Sequence, residues 1–207
     1  MSATIFQQFL EQLKARDSAK ADGFDLSWYD QMSPTELEEA ERLLLEQART
    51  GDMSPLPSLA KLATPEAVAF LKQTLHEHKY YPESGLDYDL SKYLWDITKD
   101  EKYLEVFDTF SLKNKTAKTT YFSYLADLPD TTKRVEQLMS FVKDDFEDSG
   151  FHAAREILKM LGLVRKDDSN LKEYWPLLNA LRSTELGKRR KTQKVLSGLI
   201  ESRSGIF

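Results

Sequence analysis

Four leucines recur through the middle of this chain at nearly even spacing: Leu59, Leu94, Leu125 and Leu158 lie 35, 31 and 33 residues apart. Their surroundings recur with them. Residues 58–75 (SLAKLATPEAVAFLKQTL), 93–110 (YLWDITKDEKYLEVFDTF) and 124–141 (YLADLPDTTKRVEQLMSF) align without a gap, and Leu62, Ile97 and Leu128 supply a second matched rung. A degenerate fourth copy, ILKMLGLV, begins at Ile157. Such a period belongs to two-helix units that cannot bury an apolar face alone and must stack on a neighbour. The expected fold is therefore all-α.

Each copy is punctuated at the same place, by Thr64 with Pro65, by Asp100, and by Pro129 with Asp130. Threonine and aspartate side chains accept hydrogen bonds from first-turn amides, and proline suits the first helical position. Every unit thus reads as helix A, a tight turn, then helix B. The first copy, with a small-residue turn before PEAV, resembles the short HEAT-like repeat of phycobilin lyases and deoxyhypusine hydroxylase. That resemblance covers roughly residues 54 to 182 and implies a right-handed α-solenoid of about five antiparallel helix pairs, a fold more than a function.

The ends depart from the repeat. Ile5, Phe6, Phe9, Leu10 and Leu13 form one apolar helical stripe, followed by a segment expected to be a loop pinned by Phe24, Leu26, Trp28 and Tyr29. Ser33-Pro34-Thr35-Glu36 is a capping box opening a helix that Gly51 closes near Thr50. Residues 1–51 then form an atypical capping unit, 54–182 the repeats, and a last helix over 184–202 closes the far end with Leu186, Val195, Leu196, Leu199 and Ile200 as its apolar positions. At 207 residues a single domain spanning 1–207 is the simpler expectation.

Several kinds of chemistry find no foothold. With no cysteine, disulfides, thiolate metal sites and a cysteine nucleophile are excluded. A di-iron hydroxylase of the HEAT-like type needs several His-Glu pairs, whereas His76-Glu77 is alone, and His78 and His152 cannot complete a set. His76 and His78 are two apart, not on one helix face as a zinc pair requires. An EF-hand frame is partly met by Asp145, Glu147, Ser149, Gly150 and Glu156, but His152 replaces the aliphatic anchor. Gly187-Lys188 lacks the rest of a phosphate loop, and no Gly-x-Ser-x-Gly elbow occurs. We expect no catalytic, cofactor or metal site. The amino terminus carries no secretory signature and no stretch is apolar for a membrane span, so a cytoplasmic chain without a membrane partner is expected.

What remains is binding. The B helices of such arrays line the concave side, placing Glu105, Asp108, Glu136, Lys143, Asp144, Asp145, Glu147 and Asp148 there as a mainly acidic strip. Tyr80 and Tyr81 lead into the loop YYPESGLD and add a candidate contact surface. The expected partner is a basic protein surface, with an immunity protein neutralising a toxin as the concrete version and an adaptor or assembly factor as the broader one. A net charge of −5 argues against a chain whose main task is gripping phosphates, and Lys188-Arg189-Arg190-Lys191 reads as a solvated helix face. HEAT-like DNA glycosylases supply the alternative, for which Trp95, Trp175 and Asp96 are the available residues.

Overall fold

The computed structural model describes residues 3–15, 23–78, 85–108, 119–143 and 149–203. Among them there are eleven α-helices and no strand. The chain divides into two compact units, Met1–Thr109 and Phe110–Phe207. The N-terminal unit holds α1 (Ile5–Leu13), a 3-10 turn (Leu26–Asp30), α2 (Pro34–Arg49), α3 (Leu56–Leu62), α4 (Pro65–His78) and α5 (Leu86–Thr98). It ends with a 3-10 turn (Glu101–Leu104) that runs into the short α6 (Glu105–Asp108). The C-terminal unit holds α7 (Thr119–Asp127), α8 (Thr131–Lys143), α9 (Ser149–Met160), a 3-10 turn (Leu171–Tyr174) continuing as α10 (Trp175–Leu181), and α11 (Leu186–Arg203).

Packing is local in sequence. Helices α3, α4 and α5 each pack on the next, and α3 also touches α5; in the other unit α7, α8, α9 and α10 follow in the same way, with α7 touching α9. The four rung leucines explain this order. Leu59, Leu94, Leu125 and Leu158 are each 0% exposed, and burying one such side chain is worth about 1.5–3 kcal/mol. Leu128 is buried as well, while Leu62 and Ile97 are partly buried against the N-terminal core.

The turns repeat at the level of the backbone. Thr64 Oγ1 accepts from the Ala67 amide at 3.1 Å, Asp100 Oδ1 from Lys102 at 3.2 Å and Asp130 Oδ1 from Lys133 at 3.2 Å. Ala63, Lys99, Asp130 and Asp168 have φ between 52° and 59°, and among the described residues they are the only non-glycine positions on that side of the Ramachandran map. One falls between the A and B helices of each copy. An L-residue there costs roughly 1–2 kcal/mol, and the four positions are filled by an alanine, a lysine and two aspartates.

The amino-terminal segment is knit by aromatics. Phe9 is fully buried and its ring lies 5.8 Å from Phe6, 5.4 Å from Phe24 and 6.3 Å from Tyr29. Residues 26–30 are a helical turn rather than a loop, because Asp25 Oδ1 caps the Ser27 amide at 2.9 Å. Tyr29 turns inward and Leu26 outward, at 39% exposure, so Leu26 pins nothing. Helix α2 opens on the expected box, with Glu36 Oε2 accepting from the Ser33 amide at 2.8 Å, and buries Ala40, Leu44, Leu45 and Ala48.

The last helix docks differently from the sequence expectation. Leu196 is buried, but Leu186 and Val195 are 57% and 45% exposed. Polar reach supplements the thin apolar seam: Gln193 Nε2 donates to the Val142 carbonyl at 2.9 Å and Arg203 Nη1 to the Leu161 carbonyl at 2.6 Å. Those carbonyls stand at the ends of α8 and α9, where no intrahelical donor remains.

Two stability measurements follow. Leu94→Ala and Leu125→Ala should each lower unfolding free energy by about 2–5 kcal/mol in urea titrations. Ala63→Gly, at an exposed position, should raise it by about 0.5–1 kcal/mol, because relief of the left-handed conformation exceeds the entropy cost of glycine.

Candidate functional site

Helices α4 and α5, with the 3-10 turn and α6 that follow, border a groove of about 620 Å³ in the N-terminal unit. Helix α4 contributes Lys72, Leu75 and His76; α5 contributes Asp87 and Ser91; the 3-10 turn and α6 contribute Lys102, Tyr103, Glu105 and Val106. Leu75, Tyr103 and Val106 are its apolar walls. Lys72 and His76 are exposed, while Ser91 is 3% exposed.

Asp87 is the distinctive group. It sits in the first turn of α5, just after Gly85 at φ 70°, where helical amides favour a negative charge. Burial nevertheless dominates and raises the carboxyl above its ordinary value; the Tyr88 and Asp87 amides and His78 pull the other way, and Asp89 adds to the rise. Its Oδ1 is buried without a hydrogen-bond partner. Burial therefore disfavours the charged form of this carboxyl relative to an exposed one.

Lysine 102 is already engaged. Its Nζ lies 2.5 Å from Asp100 and 4.9 Å from the centre of the Tyr103 ring, and the hydrogen bond to Asp100 holds its pKa above the usual lysine value. The groove therefore offers an apolar wall, a half-buried carboxyl and a second carboxylate, Glu105, in its lining.

Among the expected contact residues, Glu105 lines this groove and Asp108 is exposed on the same short helix. Glu136 and Lys143 are exposed on α8, in the C-terminal unit. Asp144, Asp145, Glu147, Asp148, Tyr80 and Tyr81 lie outside the described residues. Sequence reasoning passed over Asp87 and Ser91. Their spacing of four, on a helix that also carries the fully buried Leu90 and Leu94, was the available signal: polar side chains beside a buried rung face a cavity or a partner.

The other chemistry considered has concrete placements. Glu156, twelfth in the calcium frame, is 3% exposed and takes two hydrogen bonds from Arg155 at 2.8 and 2.9 Å; Lys159 lies 3.6 Å away and also pairs with Asp168 at 3.1 Å. Helix α9 begins at Ser149, so the second half of that frame is helical rather than looped, and its last carboxylate is committed to cations of the protein. Trp95 is half-buried with Lys99 Nζ 5.3 Å from its ring centre, and Asp96 pairs with Lys92 at 2.5 Å and Lys99 at 3.7 Å. Trp175 is 45% exposed, edge-on to Phe151 at 6.0 Å. His152 likewise meets Phe151 edge-on. Among the described residues no three His, Asp or Glu side chains gather as a metal site, and no helix is long and apolar enough to cross a membrane.

No family model, characterised protein or solved structure matches this chain.

Asp87→Asn should stabilise the protein at pH 7, because it removes a charge that burial disfavours. With the folded carboxyl raised above 3.8, the acid imposes no such penalty below about pH 4, where it is protonated in both states, and the full penalty above its folded pKa. Urea midpoints for both proteins from pH 3 to 8 should therefore converge at the acid end and separate towards neutrality.

Proposed function

We propose that this chain is a non-enzymatic, HEAT-like repeat protein that binds another protein, and that its N-terminal unit receives a basic segment of the partner. The observation that carries this reading is the groove with Asp87 in it, set in the acidic half of the chain. Met1–Thr109 contains 11 lysines and arginines against 21 aspartates and glutamates, a formal −10, twice the magnitude of the whole-chain value. A unit of that charge steers cationic partners and speeds encounter. At the surface, Leu75, Tyr103 and Val106 take the apolar part of a lysine or arginine stem, and Asp87 with Glu105 takes its charged head.

Asp87 supplies the reason to look here rather than at the rest of an acidic surface. A carboxyl that weakens its own fold is retained most readily where a partner's cation compensates it on binding. Asp87 and Ser91 stand on the same helix as the buried Leu90 and Leu94, so the core fixes the position of the polar groups that line the groove. An immunity protein that blocks a basic toxin is the concrete form of this proposal, and an adaptor is the general one.

A photo-crosslinking residue at Val106, introduced in the native host, tests it. Crosslinked partners should be proteins joined through lysine- or arginine-rich segments, and Asp87→Asn with Glu105→Gln should reduce the yield at least fivefold. Equal capture from a crosslinker at Glu39, on the exposed face of α2, or a yield unchanged by the two substitutions, would overturn the assignment.

A further inference from the structure

The acidity of the whole chain conceals a basic half. Phe110–Phe207 contains 18 lysines and arginines against 13 aspartates and glutamates, a formal +5. Charge asymmetry of this size between halves points to a polyanion. Its densest point is α11. Arg190, Lys191 and Lys194 are exposed there, and among the described residues no acid lies within ion-pairing distance of them; Lys188, also exposed, is held by Glu185 at 2.7 Å.

We propose that the outer face of α11 binds the phosphate backbone of duplex nucleic acid, without reading its sequence. Arg190 to Lys194 spans about 6 Å of helix axis at 1.5 Å per residue, a length over which each strand of a duplex presents about two phosphates, one per roughly 3.4 Å. The three long side chains, splayed over about 100° of the helix surface, reach phosphates on both strands.

The helix's own docking separates this partner from the other polyanions. An amphipathic helix that lies on a membrane inserts its apolar face, but here Leu196 is buried against the C-terminal core, and Gln193 and Arg203 anchor the same helix to the ends of α8 and α9. The face left outside carries Val195 as its only large apolar side chain between Lys188 and Ser202. Single strands are held by stacking on aromatic side chains, and α11 has none. Of the groups on α11 able to read base edges, Gln193 is spent on Val142, which leaves the Arg190 guanidinium as one reader among lysines that act as point charges. Phosphates on a regular duplex are what this surface fits.

The test is fluorescence anisotropy of a labelled 20-base-pair DNA duplex with the full chain, between 50 and 200 mM salt. Three phosphate contacts predict a slope of about −3 in log K against log salt. Arg190→Gln/Lys191→Gln/Lys194→Gln, whose side chains are all outside the dock, should weaken binding at least tenfold at 50 mM salt and flatten the slope. The charge-matched control Lys133→Gln/Lys166→Gln/Lys172→Gln should stay within threefold of the parent, and circular dichroism should show all three proteins equally helical. No binding by the parent, equal loss in the control, or a triple variant that binds like the parent would overturn the proposal. Binding to phosphatidylserine vesicles without binding to the duplex would overturn it too, by assigning the face to a lipid surface.

Discussion

Burial of one leucine per helical hairpin is the constraint on which the rest of the molecule depends. Leu59, Leu94, Leu125 and Leu158 are fully enclosed, and each belongs to the first helix of its hairpin. A two-helix unit of some thirty residues has too little apolar surface to stand alone. Its stability comes from the neighbour that covers its rung, so within each unit helices touch those one and two steps away in sequence. The left-handed residues Ala63, Lys99, Asp130 and Asp168 are a consequence of the same constraint, because a turn of a few residues must reverse the chain while keeping both helices against the core.

Beside this buried ladder the N-terminal unit keeps polar groups at a groove. Asp87, Ser91 and Glu105 lie around a cavity between α4, α5 and α6 instead of being packed away. Burial raises the Asp87 carboxyl, so the groove holds an acid at some cost to the fold. Burying a charge without a partner is disfavoured, and an incoming cation removes that cost. The proposed function is this argument extended to a protein ligand.

The sequence disclosed the helices and their punctuation well, for reasons that individual residues make plain. Leucines at a period near thirty-three, Thr64-Pro65 and the Ser33 capping box are local signals, and local hydrogen bonds and burial realise them. Three features were not legible. Leu26 and Val195 sit at apolar positions yet face outward, because Asp25 capping and the Gln193 and Arg203 anchors set the rotation of their segments. Asp87 gave no sign by itself, since its character comes from α4 and α6 closing around it. The opposite charges of the two halves were present in the sequence throughout, but the boundary at Thr109 had to be known before they could be counted separately.

Hydrogen–deuterium exchange of the full chain in the presence of a nona-arginine peptide tests the central claim most directly. The account predicts slowed exchange in segments around Lys72–His76, Asp87–Ser91 and Lys102–Val106, with no change across Leu186–Arg203. Protection concentrated in the C-terminal unit, or spread evenly over the acidic surface of α2 and α4 with none at Asp87, would contradict it.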